Sequence, residues 1–363
     1  MSKKCVGCGA TLQNNDDNKP GFIPEIKEDS KYCRRCFRLI HYNELPKIVA
    51  SQADYEKVIN NTLRRNDLIL YVIDIFALKT TLIKDMTRRL KDKDVIIVAN
   101  KYDVLPKSTN ITKVLNYIIK ETKKFDIKIL ATHIVSSLKN LYIDDLINTI
   151  ETFRFGRDVT VVGVANVGKS SLINAILKHD GPGKDEVTSS MIPGTTLDEI
   201  KIPFFSKNNY LIDTPGLIND KDVLLKLLPF SYKKIIPKTE IKPITYQIRD
   251  KEAFFVGGLT SISIRCKNNA SMIFYVSNDL NIHRTNDSKV KDLFQNRLGN
   301  LLNPPLEEEK KFIAYQEKKF VFDGNKKKQI WFPGYGFVVV SGRCQLTVRY
   351  IFGTELYASD SII

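Results

Sequence analysis

The chain has 363 residues, enough for two or three domains, and its 43% hydrophobic and 27% charged residues exclude a disordered or fibrous class. Its apolar runs are of strand length, shorter than the ~20 residues a membrane crossing needs, so no membrane role is expected. Lys and Arg number 56 against 41 Asp and Glu, a formal charge of +15, which favours an anionic partner such as nucleic acid, although a chain rich in Lys, Asn and Ile would carry part of that excess as solvated surface.

Met1–Cys5 leads into no hydrophobic signal segment, and four of the six cysteines stand in two close pairs. That usage suits a reducing compartment and a metal, so a cytoplasmic protein is expected. Cys5-Val6-Gly7-Cys8 and Cys33-Arg34-Arg35-Cys36 are Cys-x-x-Cys knuckles. Four thiolates in this pattern can surround one structural Zn²⁺ tetrahedrally. His41 lies past a site that four cysteines already fill. Lys27, Lys31, Arg34, Arg35 and Arg38 mix with Tyr32, Phe37 and Tyr42. Such a mixture serves RNA contact or the small module's own core equally well.

Beyond Pro46 a helix is expected over 52–65, a strand over Asp67–Asp74 and a helix over 82–91. A second buried strand, Asp94–Ala99, runs into Asn100-Lys101-Tyr102-Asp103. Asn-Lys-x-Asp at a strand end is the guanine-reading motif of GTPases. The Asp103 carboxylate can accept from guanine N1–H and the 2-amino group together, and adenine, lacking that pair of donors, would leave it unpaired. Asn100 and the stem of Lys101 would brace the base and loop. After a further helix, Ile134–Lys139 ends another strand with Ser136-Ser137, similar to the Ser-Ala-Lys loop whose backbone N–H meets the guanine carbonyl.

Gly163-Val164-Ala165-Asn166-Val167-Gly168-Lys169-Ser170 fits the phosphate-loop pattern, between the β-branched run Asp158–Val162 and a helical run from Ser171. Its glycines let backbone N–H groups ring the phosphates, and the helix start adds a positive dipole end. Val167, Gly168, Lys169, Ser170 and Ser171 are therefore nucleotide-binding candidates, with Lys169 on the β- and γ-phosphates and Ser170 on Mg²⁺. Pro193-Gly194-Thr195-Thr196 is read as the first switch, with Thr196 on Mg²⁺. Asp213-Thr214-Pro215-Gly216 is read as the second, with Asp213 holding Mg²⁺ through water and the Gly216 N–H sensing the γ-phosphate. In ordinary GTPases the phosphate loop precedes Asn-Lys-x-Asp; here it follows, so the G domain is circularly permuted. The segment after Gly216 then leads directly into the C-terminal region, where a change at the second switch would pull.

Residues 221–363 hold no further catalytic signature. Stretches at 254–258, 261–265, 272–276, 329–332, 336–340 and 346–350 alternate as strands, and Asn325–Lys328 is expected to be a hairpin tip. Lys and Arg exceed Asp and Glu in this region, which suits either an RNA-binding module or a β-sandwich whose charges only solvate it. Cys266 and Cys344 are expected to be ordinary buried thiols. The fold class is thus α/β: a circularly permuted P-loop NTPase-type G domain over 46–220, an N-terminal four-cysteine zinc module over 1–45 and a β-rich domain over 221–363.

With zinc knuckles, permuted motif order and a basic C-terminal region, and on stretches such as Cys33–Asn43 and Val162–Ser170, the chain resembles the YqeH family of circularly permuted GTPases. The resemblance spans nearly the whole chain and is weakest after residue 285. It implies a GTPase that helps assemble the small ribosomal subunit, binds that subunit or its rRNA, and carries a C-terminal domain similar to an RNA-binding regulator fold. Its partners would be GTP, GDP and the subunit. The catalytic set would be Lys169, Asn166, Thr196 and Gly216. In similar GTPases the position of Asn166 ligates a K⁺ ion that replaces an arginine finger, which implies K⁺-stimulated turnover. Leu217 stands where many GTPases have a water-orienting glutamine, so slow intrinsic hydrolysis is expected. The alternative is an RNA-binding scaffold that keeps GTP as a structural ligand with negligible hydrolysis. A tRNA-modifying GTPase would need a second catalytic site that the sequence does not supply.

Overall fold

A computed structural model describes residues 3, 11–16, 21–27, 30, 33–34, 59–180, 200–206, 209–214, 216, 224, 227–266, 270–332 and 334–363. After helical residues 59–63 come β1 (Leu68–Asp74), α1 (Leu78–Thr81), α2 (Lys84–Arg89), β2 (Asp94–Asn100), α3 (Ile111–Thr122), β3 (Lys128–Ile134) and α4 (Ile143–Arg154). Next are β4 (Val159–Val162), α5 (Lys169–Asp180), β5 (Ile200–Ser206), β6 (Asn209–Asp213), α6 (Pro229–Ile235), β7 (Ile244–Ile248), β8 (Glu252–Val256), β9 (Thr260–Cys266) and β10 (Ala270–Val276). The chain continues through β11 (Ile282–Asn286), α7 (Val290–Asn296), β12 (Tyr315–Asp323), β13 (Lys328–Phe332), β14 (Gly336–Ser341), β15 (Arg343–Ile351) and β16 (Tyr357–Asp360). No described helix is long and apolar enough to cross a membrane.

Two compact units emerge. One takes the described residues of Met1–Asp74, Lys84–Asn100 and Phe125–Ile218; the other takes Ile75–Ile83, Lys101–Lys124 and those of Asn219–Ile363. The first is built on a six-stranded sheet in the order β3-β2-β1-β4-β6-β5. Strands β1, β2, β3, β4 and β6 run parallel, and β5 returns antiparallel to β6. Leu68–Asp74 is buried at every position, as expected of a parallel strand covered on both faces. Strand β5 tolerates Pro203 because it is an edge with β6 as its single ladder partner.

The second unit contains two antiparallel five-stranded sheets, β16-β13-β14-β10-β7 and β11-β8-β9-β15-β12. Phe254, Ile262, Ile264, Leu346 and Val348 from one sheet share a core with Met272, Phe274, Ile330, Val338 and Val340 from the other. The domain is therefore a β-sandwich. Strand β14 is buried along Gly336–Val340 on both faces. Its alternate residues face away from the sandwich core, and there Phe337 meets Phe76 at 5.9 Å. Trp331, the only tryptophan, stacks on Tyr117 of α3 at 5.5 Å and on Tyr357 at 5.7 Å. Lys79 lies 4.9 Å over the Tyr357 ring and pairs with Glu121, which also pairs with Lys124. The α3 helix is started by Asn110, whose side chain accepts from the Lys113 N–H at 3.1 Å. The Ile241 N–H donates to the Val104 carbonyl at 3.0 Å, and the Lys107 N–H to Glu240 Oε1 at 2.9 Å.

Each strand expected in the C-terminal region is present. Residues 325–327, however, connect β12 of one sheet to β13 of the other, so the expected hairpin tip is a corner between sheets. Strand β12 pairs with β15 instead. Replacing Tyr117 with alanine should cost about 1–3 kcal/mol in stacking and buried area and shift the emission of the single tryptophan to the red. Urea titration followed by that emission measures both effects.

Candidate functional site

Because β1, β2, β3, β4 and β6 are parallel, their carboxyl ends share one edge, where open α/β sheets bind ligands. The order reverses between β1 and β4, and residues 163–168 leave β4 at that switch point and enter α5 at Lys169. Asn100 ends β2 in register with Asp74 at the end of β1. The Val135 N–H donates to the Ala99 carbonyl at 2.9 Å, bringing the Ser136-Ser137 loop beside it.

The Asn100 carboxamide joins three loops. Its Nδ2 donates to the carbonyls of Val167 at 3.0 Å and Gly168 at 3.4 Å, while its Oδ1 accepts from the Ser137 N–H at 3.0 Å. Asn100 is 1% exposed, so its polar atoms depend on these partners. Gly168 has φ +91°, and a Cβ there would collide with Asn100 Nδ2. Its glycine thus meets two demands, a left-handed backbone and the close approach of a side chain. Asn166, at φ 66°, is of a residue type that tolerates this conformation.

Lys169 is buried, and its Nζ donates to the Gly163 and Val164 carbonyls at 3.1 Å each. Burial pulls its pKa down to about 8, against the opposing pull of Asp213. Burial likewise raises the Asp213 carboxyl, with Lys169, Ser170 and the Thr214 backbone acting to lower it. Ser170 Oγ donates to Asp213 Oδ2 at 3.3 Å, while the buried Asp213 Oδ1 has no hydrogen-bond partner. A hydroxyl beside an orphaned carboxylate oxygen is a hard oxygen donor set, which fits Mg²⁺. Gly216 packs so closely on the phosphate loop that a Cβ would stand 2.9 Å from both Ala165 Cα and Lys169 Nζ.

Asn100, Ser137, Val167, Gly168, Lys169, Ser170, Asp213 and Gly216 are therefore brought together. Ser136 is buried with its hydroxyl accepting from the Lys139 N–H at 3.0 Å, which closes its own turn. Ser171 is exposed on α5. Lys101 takes a left-handed conformation (φ 71°) and leads into a 3-10 turn, Tyr102–Val104, that contains Asp103. The division between the compact units falls between Asn100 and Lys101. Thr196 and the rest of the first switch, together with Leu217 and His41, lie outside the described residues, as do Cys5, Cys8 and Cys36; Cys33 is described and buried. Among the described residues no group of three or more His, Cys, Asp or Glu is arranged for a metal.

Sequence reasoning misses the role of Thr214, and it expects Asn100 to brace base and loop without naming the phosphate-loop carbonyls and the Ser137 N–H as its partners. Thr214 Oγ1 donates to the Val161 carbonyl at 2.7 Å and holds the end of β6 against β4. Its place after an acidic strand end is the available signal.

Residues 158–254 match a family model described as 50S ribosome-binding GTPase, and residues 269–355 match one described as YqeH-like, C-terminal. The chain is 34% identical over 363 residues to YqeH of Bacillus subtilis (strain 168), covering 99% of each protein. It is 26% identical over 347 residues to NO-associated protein 1, chloroplastic/mitochondrial, of Arabidopsis thaliana, covering 83% of this chain and 62% of that protein. Among solved structures it is similar to YjeQ from Thermotoga maritima, with 24% identity, a TM-score of 0.27, and coverage of 42% of this chain and 49% of the other.

Replacing Asn100 with alanine should orphan the Ser137 N–H and two carbonyls of the phosphate loop. The expected loss is about 2–4 kcal/mol of stability, measured by urea unfolding, together with weakened binding of a fluorescent guanine nucleotide.

Proposed function

The chain belongs to the YqeH family and is a GTP-binding P-loop GTPase; from that premise we propose that it acts in the cytoplasm in assembly of the small ribosomal subunit, with its nucleotide state coupled through the second switch to binding of RNA or the subunit. The observation that carries the nucleotide-binding part of this reading is the Asn100 clamp, which ties the phosphate loop to the loops at the ends of β2 and β3, while the ribosomal part is supported by membership of the family. A nucleotide bound there would order all three together.

Lys169 would leave the Gly163 and Val164 carbonyls for the β- and γ-phosphate oxygens. The N–H groups of Val167 and Gly168 would line the phosphates, while Asp103 would select guanine over adenine. Ser170, Thr196 and Asp213 would hold Mg²⁺, which when bound neutralises charge on the phosphate oxygens. Gly216 rests against Ala165 and Lys169, so a γ-phosphate drawing Lys169 forward would also move the start of the second switch. Asn166 would ligate a stimulating K⁺. Cys5, Cys8, Cys33 and Cys36 would hold a structural Zn²⁺. The basic excess of residues 221–363 supports contact with RNA. Leu217 favours slow unassisted hydrolysis, and it is also the residue that supports the second reading, a scaffold that holds GTP without turning it over.

The pKa of Lys169 sets an expected pH dependence. With a folded value of about 8 against the ordinary 10.5, the folded state binds this proton less tightly than the unfolded chain. Stability is therefore penalised below about pH 8, and the penalty fades between 8 and 10.5. Phosphate favours the charged amine, so above pH 8 nucleotide binding must take up a proton and affinity should fall by up to about tenfold per pH unit. Calorimetry at pH 9 in buffers of different ionisation enthalpy measures that uptake.

Turnover should be faster in K⁺ than in Na⁺, and equal rates would remove Asn166 from its role. The matched family description names the 50S ribosome, so sedimentation is run against both subunits, with GDP and with a non-hydrolysable GTP analogue. Nucleotide-dependent co-sedimentation with the small subunit is expected. Binding to the large subunit alone would overturn the assignment, and binding to the small subunit without stimulated hydrolysis would favour the scaffold.

A further inference from the structure

Cys266 and Cys344 face each other. Strands β9 and β15 pair antiparallel in one unbroken register from Thr260↔Tyr350 to Cys266↔Cys344, where the two cysteines are direct partners. Opposed residues in such a ladder have Cα atoms about 4.5–5.5 Å apart, inside the roughly 4.4–6.8 Å that a disulfide accepts. Directly opposed side chains also leave the sheet on the same face. Both cysteines point into the sandwich core, with Phe322 of β12 beside Cys344 in the same row. Both are free thiols.

We propose that Cys266 and Cys344 are a modification site: they form a reversible cross-strand disulfide by exchange with a small-molecule disulfide. The inference is independent of the nucleotide reading. Cys266, at 8% exposure against 3% for Cys344, is the sulfur that reacts first. As thiolate it attacks one sulfur of the small disulfide, forming a mixed disulfide and expelling one small thiolate, which takes up the proton Cys266 lost. The Cys344 sulfur then attacks the Cys266 sulfur; the protein disulfide forms, the mixed one breaks, and a second small thiol leaves with the proton of Cys344. The two cysteine sulfurs together lose two electrons and the small disulfide gains them. Burial, and next the neighbouring Cys266 thiol, push Cys344 up to about 11, while burial, Asp250 and Glu252 raise Cys266. Both thiols therefore stay protonated at neutral pH, which makes the exchange slow.

The bond would join two neighbouring strands in the interior of their sheet and close the chain between them, a span that contains β10, β13 and β14 of the opposite sheet. Closing so long a span restricts the unfolded chain more than the folded one.

The test uses the reduced full chain, equilibrated with excess oxidised glutathione, acid-quenched, alkylated and mapped by mass spectrometry. Peptide mapping keeps the reading separate from oxidation of the four N-terminal cysteines. A linked Cys266–Cys344 peptide that dithiothreitol reverses is expected. So is a rise of roughly 5–10 °C in the thermal midpoint of the sandwich, absent in the double variant Cys266→Ser, Cys344→Ser. In the single variant Cys344→Ser the expected product is a glutathione adduct at Cys266. Glutathione on the separate cysteines of the wild-type chain, or two unmodified thiols after equilibration, would overturn the pairing. A linked peptide with an unchanged or lowered midpoint would overturn the stabilising role, and with it the claim that the fold accommodates this bond.

Discussion

The nucleotide-binding edge of this protein depends on one carboxamide. Asn100 closes hydrogen bonds to Val167, Gly168 and Ser137, and its near-complete burial leaves water no access to replace them. An amide is suited to this place because it donates and accepts at once. Aspartate would lose the donor, and leucine of similar volume would lose both. The constraint passes to Gly168, whose missing side chain makes room for the amide. It passes also to β2, whose apolar run fixes where Asn100 emerges.

The buried Lys169–Asp213 pair shows a second kind of dependence. Burial works against the charge on each, and each acts to keep the other ionised. Lys169 is satisfied by two carbonyls of its own loop, and Asp213 is left with one oxygen unpartnered. An anion and a divalent cation arriving together would settle both groups, as a nucleotide with its metal does.

Much of this architecture is legible in the sequence. Parallel strands buried on both faces give uninterrupted apolar runs, so Leu68–Asp74 and Asp94–Asn100 announce themselves, and the phosphate loop is fixed by strand before and helix after. The edge strands β5 and β12 are not legible. In β12, Glu317, Lys318 and Lys319 are exposed beside a single partner strand, and in β5 a proline sits in the ladder's outer row, so neither shows a clean alternation. The corner at 325–327 resembles a hairpin locally, and only non-local pairing decides between the two. The Tyr117–Trp331–Tyr357 stack draws on residues from widely separated segments, which no local pattern reports. At the site, the motif supplies the residues but not the partners: it casts Asn100 as a brace for base and loop, and the structure identifies the loop atoms as the Val167 and Gly168 carbonyls and the Ser137 N–H.

The permuted order also has a consequence during synthesis. Strand β1 has β2 on one side, which follows it closely in the chain, and β4 on the other, which follows much later. A nascent chain therefore carries β1 with one flank of unpaired backbone N–H and C=O groups for on the order of several seconds at ordinary elongation rates. Through that interval the half-built sheet keeps an open border, which closes only when Val159–Val162 emerges and pairs with it.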